Sequence, residues 1–402
     1  MDYREAMTGS WVMWDDRCTT YDFGPGHPMH PSRLDLTYRL SRSLGLLDHD
    51  DVTVASFPVA TDEQLLTVHT PELVAAVRAA SLDPRGATGR HGVGTDDTPA
   101  FAGMHEASAL AVGATVAACE AVWDGRARHA VNIAGGLHHA MPDTASGFCV
   151  YNDISVGIRR LLELGARRVA YIDLDVHHGD GVERSFWDDE RVLTVSVHET
   201  GRALFPGTGF PADTGGPRAR DSAVNVALPP GTGDEGWLRA FAAVVPAVVR
   251  AFRPDVIVSQ HGCDSHFSDP LAHLAVSTDA MAVSQGWVRD LALSSTAQGR
   301  WVALGGGGYE LVGVVPRAWT HLVGVVTGRP VDVTTVVPEE WRRHVEQTYG
   351  RTPPTSMGDR DGRPIRYGEW SEGYHPEDPV DSAIMATRRA VFPGWGLDPY
   401  FD

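Results

Sequence analysis

The stretch Tyr171-Ile-Asp-Leu-Asp-Val-His-His-Gly-Asp180 places three acids and two histidines within eight residues, directly behind the apolar run Arg168-Val-Ala-Tyr-Ile172. A short, β-branched run of this kind predicts a buried strand. Side chains of extended chain repeat every second residue, so Asp173, Asp175 and His177 fall on one side. Carboxylates and an imidazole so spaced are the donors of a divalent metal site; the plain alternative is a polar strand-to-helix turn. Asp264, in His261-Gly-Cys-Asp264, joins Asp175 and His177 as an open set of two oxygen ligands and one nitrogen. Such a set suits Zn²⁺ or Fe²⁺ and leaves positions for water and a substrate carbonyl. Two ionised carboxylates cancel the formal charge of the metal, so its water is acidified less than at an all-histidine site and a separate base is needed.

The tandem His138-His139, after another apolar run, supplies that base. An imidazole acting in catalysis needs its tautomer fixed by a carboxylate on the other ring nitrogen. Asp173 and Asp180, the acids not used as ligands, are the natural partners. Two such dyads could take one proton from water and give one to a leaving amine, whereas a histidine pair by itself is as readily a structural turn. Gly305-Gly-Gly-Gly-Tyr309 lacks the lysine of a phosphate loop. It reads better as backbone that approaches the site closely and turns Tyr309 inward. A phenol aimed at a metal-bound carbonyl would stabilise an oxyanion; a tyrosine packed under a glycine turn is the bland reading. Phe148 and Phe205, each beside a Gly or Pro turn, could flank a narrow apolar channel, although isolated phenylalanines more often belong to a core.

These residues need elements to position them. Strand-like runs occur at Trp11–Trp14, Ala130–Ala134, Arg168–Val176, Val192–His198, Ala223–Leu228, Asp255–Gln260 and Trp301–Leu304. Helix-like stretches lie between them, at Glu106–Trp123, Ile154–Leu164, Trp237–Phe252 and Ala280–Leu293. Alternation of this kind predicts an α/β fold, a parallel sheet covered by helices on both faces. Ligands of such sheets sit beyond the carboxyl ends of the strands. Gly135–His139, Asp173–Asp180, His261–Asp264 and Gly305–Tyr309 each follow a strand end, so four loops converge on one rim.

The chain has 402 residues, 43% of them hydrophobic, and a net charge of −18. That charge argues against nucleic acid or an anionic membrane as the main partner. All 34 basic side chains are arginine. Biased codon usage is the ordinary explanation, and a side effect is that the protein cannot be acylated on a lysine of its own. Cys18, Cys119, Cys149 and Cys263 are widely spaced, as reduced thiols of a cytosolic protein would be. The start of the chain has no signal-peptide layout, and no apolar run looks long enough to span a bilayer. The expectation is a soluble cytoplasmic protein with a main domain over residues 1–330. Residues 331–402, charged, Trp-containing and broken by Pro and Gly, read as an extension of about two helices packed on it.

Taken together, Gly26-His-Pro-Met29 with Arg33, Gly135–His139, Gly147–Asp153, Asp173–Gly181, Phe205–Gly209, Gly262–Asp264 and Gly305–Tyr309 resemble the zinc-dependent histone deacetylase superfamily, in that family's order, over most of residues 10–330. Asp97–Glu106 and Gln260-His-Gly262 look like its bacterial acetoin-utilisation branch, related to class I enzymes. The resemblance implies an arginase-like three-layer α/β fold around an eight-stranded, mainly parallel sheet. It implies Asp175, His177 and Asp264 as zinc ligands, with Fe²⁺ as an alternative metal. His139 matches the general base and acid, His138 its electrostatic partner, Asp173 and Asp180 the acids behind them, and Tyr309 the transition-state tyrosine. Gly147, Phe148, Phe205 and Leu271 match the acyl-lysine tunnel, Asp97 the rim carboxylate, and Arg33 an arginine beside the cavity through which acetate leaves. Structural K⁺ or Na⁺ is implied at Asp173, Asp175, His177, Ser196 and Val197, and at Phe186, Asp189 and Val192, where Ser222 departs from a frequent aromatic. Cys263 departs from an expected small residue beside the third ligand and would bring a thiol near the metal.

The activity so implied is hydrolysis of N-ε-acetyl-lysine in an acetylated protein, with an acyl-CoA synthetase as the expected kind of target. An acetylpolyamine or other small amide is the alternative substrate, and a non-catalytic acetyl-lysine binder the alternative of another class. A two-manganese ureohydrolase would need an Asp-x-His-x-Asp spacing that Asp175–Asp180 does not supply. The oligomeric state is left open.

Overall fold

The computed structural model describes residues 9–402. Eight strands form one sheet: β1 (Ser10–Met13), β2 (Val52–Ala55), β3 (His129–Asn132), β4 (Val169–Asp173), β5 (Val192–Glu199), β6 (Ala223–Leu228), β7 (Val256–Gln260) and β8 (Trp301–Leu304). Their order is β2-β1-β3-β8-β7-β4-β5-β6, and every pairing is parallel. Eleven helices accompany them among the described residues: α1 (Ser32–Ser43), α2 (Asp62–Leu65), α3 (Pro71–Leu82), α4 (Met104–Trp123), α5 (Asp153–Glu163), α6 (Asp180–Phe186), α7 (Asp234–Phe252), α8 (Thr278–Ser294), α9 (Val315–Val326), α10 (Glu339–Tyr349) and α11 (Pro379–Val391).

Each of the seven apolar runs forms a strand, with ends shifted by a few residues: the run through Val176 leaves the sheet at Asp173. Every residue of β3, β4, β5, β7 and β8 is buried. Helices on both faces remove the need for apolar–polar alternation, which is why these strands read as continuous runs. The eighth strand, β2, carries no such signal. It is a four-residue edge strand with Thr53 and Val54 exposed.

One expectation is corrected. α4 is 20 residues long and apolar enough, by length and composition, to cross a membrane. Here it is a core helix, packed on α5 and β3, and 78% of its most apolar window is buried inside the fold. Its alanines, Val112, Val116 and Val122 meet protein on nearly all sides, so it needs no polar face.

Residues 331–402 add no strand to the sheet. Trp341 of α10 is buried and donates its indole N–H to the Leu36 carbonyl of α1 at 2.9 Å. α11 lies along edge strand β6, where the Thr387 hydroxyl donates to the Asn225 carbonyl. Between the two helices, Asp359 accepts from Thr278 N–H (2.8 Å), the Thr278 hydroxyl (2.6 Å) and Arg317 (2.8 Å), and pairs with His266 at 3.0 Å.

The register sets up the site. Asn132, Leu304, Gln260 and Asp173 lie side by side across β3, β8, β7 and β4. Four adjacent strands therefore end level, and the loops that leave them meet.

Candidate active site

Asp175, His177 and Asp264 come together as expected, all buried, with ligand atoms within 4.8 Å of one another. His177 Nδ1 lies 3.1 Å from both Asp175 Oδ1 and Asp264 Oδ2. Backbone and one amide aim the carboxylates. Asp175 Oδ2 accepts from Gln260 Nε2 at 2.6 Å and from Gly307 N–H at 2.8 Å, while Asp264 Oδ1 accepts from Val176 N–H at 3.0 Å. Burial alone would lower the basicity of His177, but the two carboxylates outweigh it and raise its pKa to about 10. Burial and the charge of Asp175 push Asp264 up, whereas Asp175, also buried but richer in donors, is held down by His138, His177 and Gln260. Two carboxylates brought this close in a buried pocket repel each other, and that charge calls for a cation. The pocket's two carboxylate oxygens and one imidazole nitrogen fit a divalent metal. Cys263 stands apart from the set: its buried thiol donates to the Gly307 carbonyl at 3.6 Å, and burial raises its pKa well above the ordinary value, so it stays a thiol.

Both histidine–carboxylate pairs form. His138 Nδ1 is 2.8 Å from Asp173 Oδ2, and His139 Nδ1 is 2.7 Å from Asp180 Oδ1. The remaining ring nitrogens face each other, Nε2 to Nε2, at 3.0 Å. Their environments split them. His138 is buried, yet Asp173 and Asp175 raise its pKa to about 9; burial and the neighbouring His138 charge lower that of His139 to about 4. The carboxylates thus favour the charged form of His138, whereas burial and its neighbour favour the neutral form of His139. The loop that carries them leaves β3 through Gly135-Gly136. Asp153, at the start of α5, accepts from Gly136 and Leu137 N–H, and Asn152 Nδ2 donates to the Ala140 carbonyl at 2.9 Å.

Tyr309 follows four glycines, of which Gly306 and Gly308 have φ of +144° and +141°, backbone that side chains rarely adopt. Its ring meets that of Phe148 edge-on at 5.7 Å, and burial keeps the phenol protonated. Arg33 sits beside it, 5.8 Å above the ring, and donates to the Gly306 and Gly308 carbonyls at 3.1 and 3.0 Å. Arg33 also lines a small pocket with Cys18, Tyr21 and Met29, and its buried Nε has no protein partner. Phe205 packs edge-on to His139 at 5.0 Å, as Phe148 packs on Tyr309, and is 47% exposed. Asp97 is exposed and accepts from Gly147 N–H at 2.7 Å, tying the rim to the channel wall. Leu271 is half-buried, with its N–H on Asp269 Oδ1 at 3.0 Å.

Of the residues expected near monovalent cations, Asp173 and Ser196 are register partners and Val197 follows on β5. Around the second group, the Phe186 and Asp189 carbonyls each accept a backbone N–H, and the Arg159 guanidinium lies 4.6 Å over the Phe186 ring and 3.1 Å from the Asp189 carboxylate.

Sequence reasoning gave no role to Gln260, Tyr171, Asp153 or Asp269. The Tyr171 hydroxyl donates to Asp173 Oδ2 at 2.6 Å, so that oxygen serves both Tyr171 and His138. A polar last residue in an otherwise apolar strand, as in Val256-Ile-Val-Ser-Gln260, was the signal available for Gln260.

Residues 27–326 match the model of the histone deacetylase domain. The chain is 40% identical over 337 residues to the acetoin utilization protein AcuC of Bacillus subtilis, which spans 83% of this chain and 86% of that protein. It is 36% identical over 341 residues to the AcuC protein of Staphylococcus xylosus, at 84% and 88% coverage. The crystal structure of an HDAC homolog from Aquifex aeolicus matches the fold with a TM-score of 0.81 at 28% identity, covering 94% of this chain and all of that one.

Proposed function

Since the chain belongs to the histone deacetylase family, and is a deacetylase of that kind, we propose that it hydrolyses N-ε-acetyl-lysine side chains of proteins with Zn²⁺ or Fe²⁺ held by Asp175, His177 and Asp264. The observation that carries this reading is the pair of histidine–carboxylate dyads packed against the metal-ligating residues, with His138 Nε2 3.8 Å from Asp175 Oδ1 and the His139 ring 5.6 Å from that of His177. When bound there, a divalent ion supplies Lewis acidity to the attacking water and the amide carbonyl.

The remaining work falls to side chains. Asp180 fixes Nδ1 of His139 as a donor, which makes Nε2 its basic atom. To act, His139 Nε2, which lies 3.0 Å from His138 Nε2, must turn its lone pair to the water, and it then takes a proton as the oxygen adds to the acetyl carbon. The Tyr309 hydroxyl donates to the carbonyl oxygen as charge develops there, a role worth roughly 3–4 kcal/mol for a well-placed donor. His138, whose charged form Asp173 favours, lowers the energy of that negative charge. The C–N bond then breaks, the proton on His139 passes to the leaving lysine nitrogen, and acetate remains. Phe148 and Phe205 are suited to the apolar lysine stem, and Asp97, at the rim, to backbone N–H groups of the protein substrate. Relatives named for acetoin utilization favour a target in acyl-group metabolism, of which an acyl-CoA synthetase is the kind we expect.

The test is acetate release from an acetyl-lysine peptide by Zn²⁺- or Fe²⁺-loaded protein, beside Asp175→Ala and an acetylpolyamine. Peptide turnover that vanishes in Asp175→Ala supports the reading. Turnover of the polyamine alone would move the substrate to small amines, and turnover of neither by metal-loaded protein would overturn the substrate assignment.

A further inference from the structure

Asp269 lies five residues beyond Asp264, and its place in the chemistry above is empty. The residue is 7% exposed, and among the described residues it forms no ion pair. A carboxylate taken out of water must be satisfied by donors. This one is satisfied by backbone from two walls of the site: Leu271 N–H donates to Oδ1 at 3.0 Å and Tyr309 N–H to Oδ2 at 2.8 Å. Its own N–H is fixed on the His266 carbonyl at 2.9 Å.

Tyr309 needs such an anchor. It ends a run of four glycines, the segment with the most backbone freedom to lose on folding. Arg33 pins that run through the carbonyls of Gly306 and Gly308. Asp269 pins its end from the opposite polarity, through the N–H of the tyrosine itself. We propose that Asp269 is a positioning residue that sets Tyr309 for oxyanion donation and, through Leu271, holds the channel wall in register with it. The inference rests on the reading of Tyr309 given above. It also makes one loop responsible for the third metal ligand, the wall and the tyrosine.

Asp269→Asn tests this with little change of shape. An amide has one oxygen, so whichever way it turns, either Tyr309 or Leu271 faces an NH₂ group and loses its acceptor. The expected result is a kcat lowered by about 10- to 100-fold, the scale of an ångström-level misplacement, with KM changed by less than about threefold and metal bound stoichiometrically. In a Tyr309→Phe background the same substitution should change kcat by less than about twofold, because no hydroxyl remains to be placed. Asp269→Glu, which keeps both acceptors on a longer stem, should recover part of the loss. Amide hydrogen exchange of the 305–309 segment should quicken in Asp269→Asn, and this reading needs no turnover. Equal kcat losses in both backgrounds, or wild-type kcat, would overturn the proposal. Wild-type protein without amide hydrolase activity would refute the substrate reading, and unchanged exchange at Tyr309 would then still refute the positioning role.

Discussion

Gly307→Ala is the sharpest perturbation of the metal-ligating set, because it adds one methyl group and removes nothing. Gly307 keeps an ordinary backbone conformation, so the effect is one of space. A Cβ built there would stand 2.0 Å from Asp264 Oδ2 and 2.9 Å from Asp175 Oδ2. Unbonded carbon and oxygen keep at least about 3 Å apart, so the Asp264 oxygen must retreat by about 1 Å. Asp264 cannot swing freely, since its other oxygen holds Val176 N–H at 3.0 Å. Metal–oxygen bonds are about 2.0–2.2 Å long and tolerate about 0.2 Å of error, so the displaced oxygen leaves coordination range. Loss of outer partners alone weakens metal binding by about 10–100-fold; displacement of a ligand should exceed about 100-fold, or about 2.7 kcal/mol. Competition against a chromophoric chelator measures it, with circular dichroism to show that the fold persists and acetate release to follow activity. Gly286→Ala is the control: it lies within α8, and a Cβ there meets nothing within 4 Å. It should keep wild-type affinity and add about 0.5–1 kcal/mol of stability. A Gly307→Ala protein that binds metal within threefold of wild type would refute the steric argument.

Tyr309→Phe should lower kcat by about 10²–10³-fold with KM and metal content unchanged, since the ring still packs on Phe148; steady-state kinetics decide it. Phe205→Ala should raise KM about tenfold, near 1.4 kcal/mol of lost apolar contact, while the melting temperature hardly moves because the ring is half exposed. Asp359→Ala should destabilise the protein by about 3 kcal/mol in urea titrations at pH 7, by stranding Arg317 and His266. Burial would raise the Asp359 pKa, but His266, Arg317 and Thr278 hold it far below the usual carboxylate range. A depressed folded-state pKa gives stability that is complete above the unfolded value, about 4, and is lost as pH falls below it. The gap between wild type and variant should therefore narrow on acidification from pH 5 towards pH 3.

The site was more legible in the sequence than the frame around it. Asp173 to Asp180 and His138-His139 stand out because ionisable side chains cluster where an apolar strand stops. Gln260, Asp153 and Asp269 do not, since each is one polar residue whose partners in the site lie 16 to 124 positions away. β2 was hidden by exposure of half its residues, and α4, read as a helix over 106–123, is longer and more uniformly apolar than that reading allowed, because a helix enclosed by protein is as apolar as one enclosed by lipid. Residues 331–402 showed their two longer helices but not what they cover, because Trp341 and Thr387 act on backbone carbonyls more than 160 positions away.

The pairing of β3 with β8 joins Val131 to Ala303 across the middle of the sheet. The base and the tyrosine leave those two strands, so neither can be placed until almost the whole catalytic region has emerged from the ribosome. A nascent chain that stops before residue 300 has β7 open as an edge and holds ligands without Tyr309 or the glycine turn. Closing a loop of that length is slow relative to local helix formation. Activity in this protein is therefore a late event of folding, and its appearance during refolding should lag the recovery of helical signal.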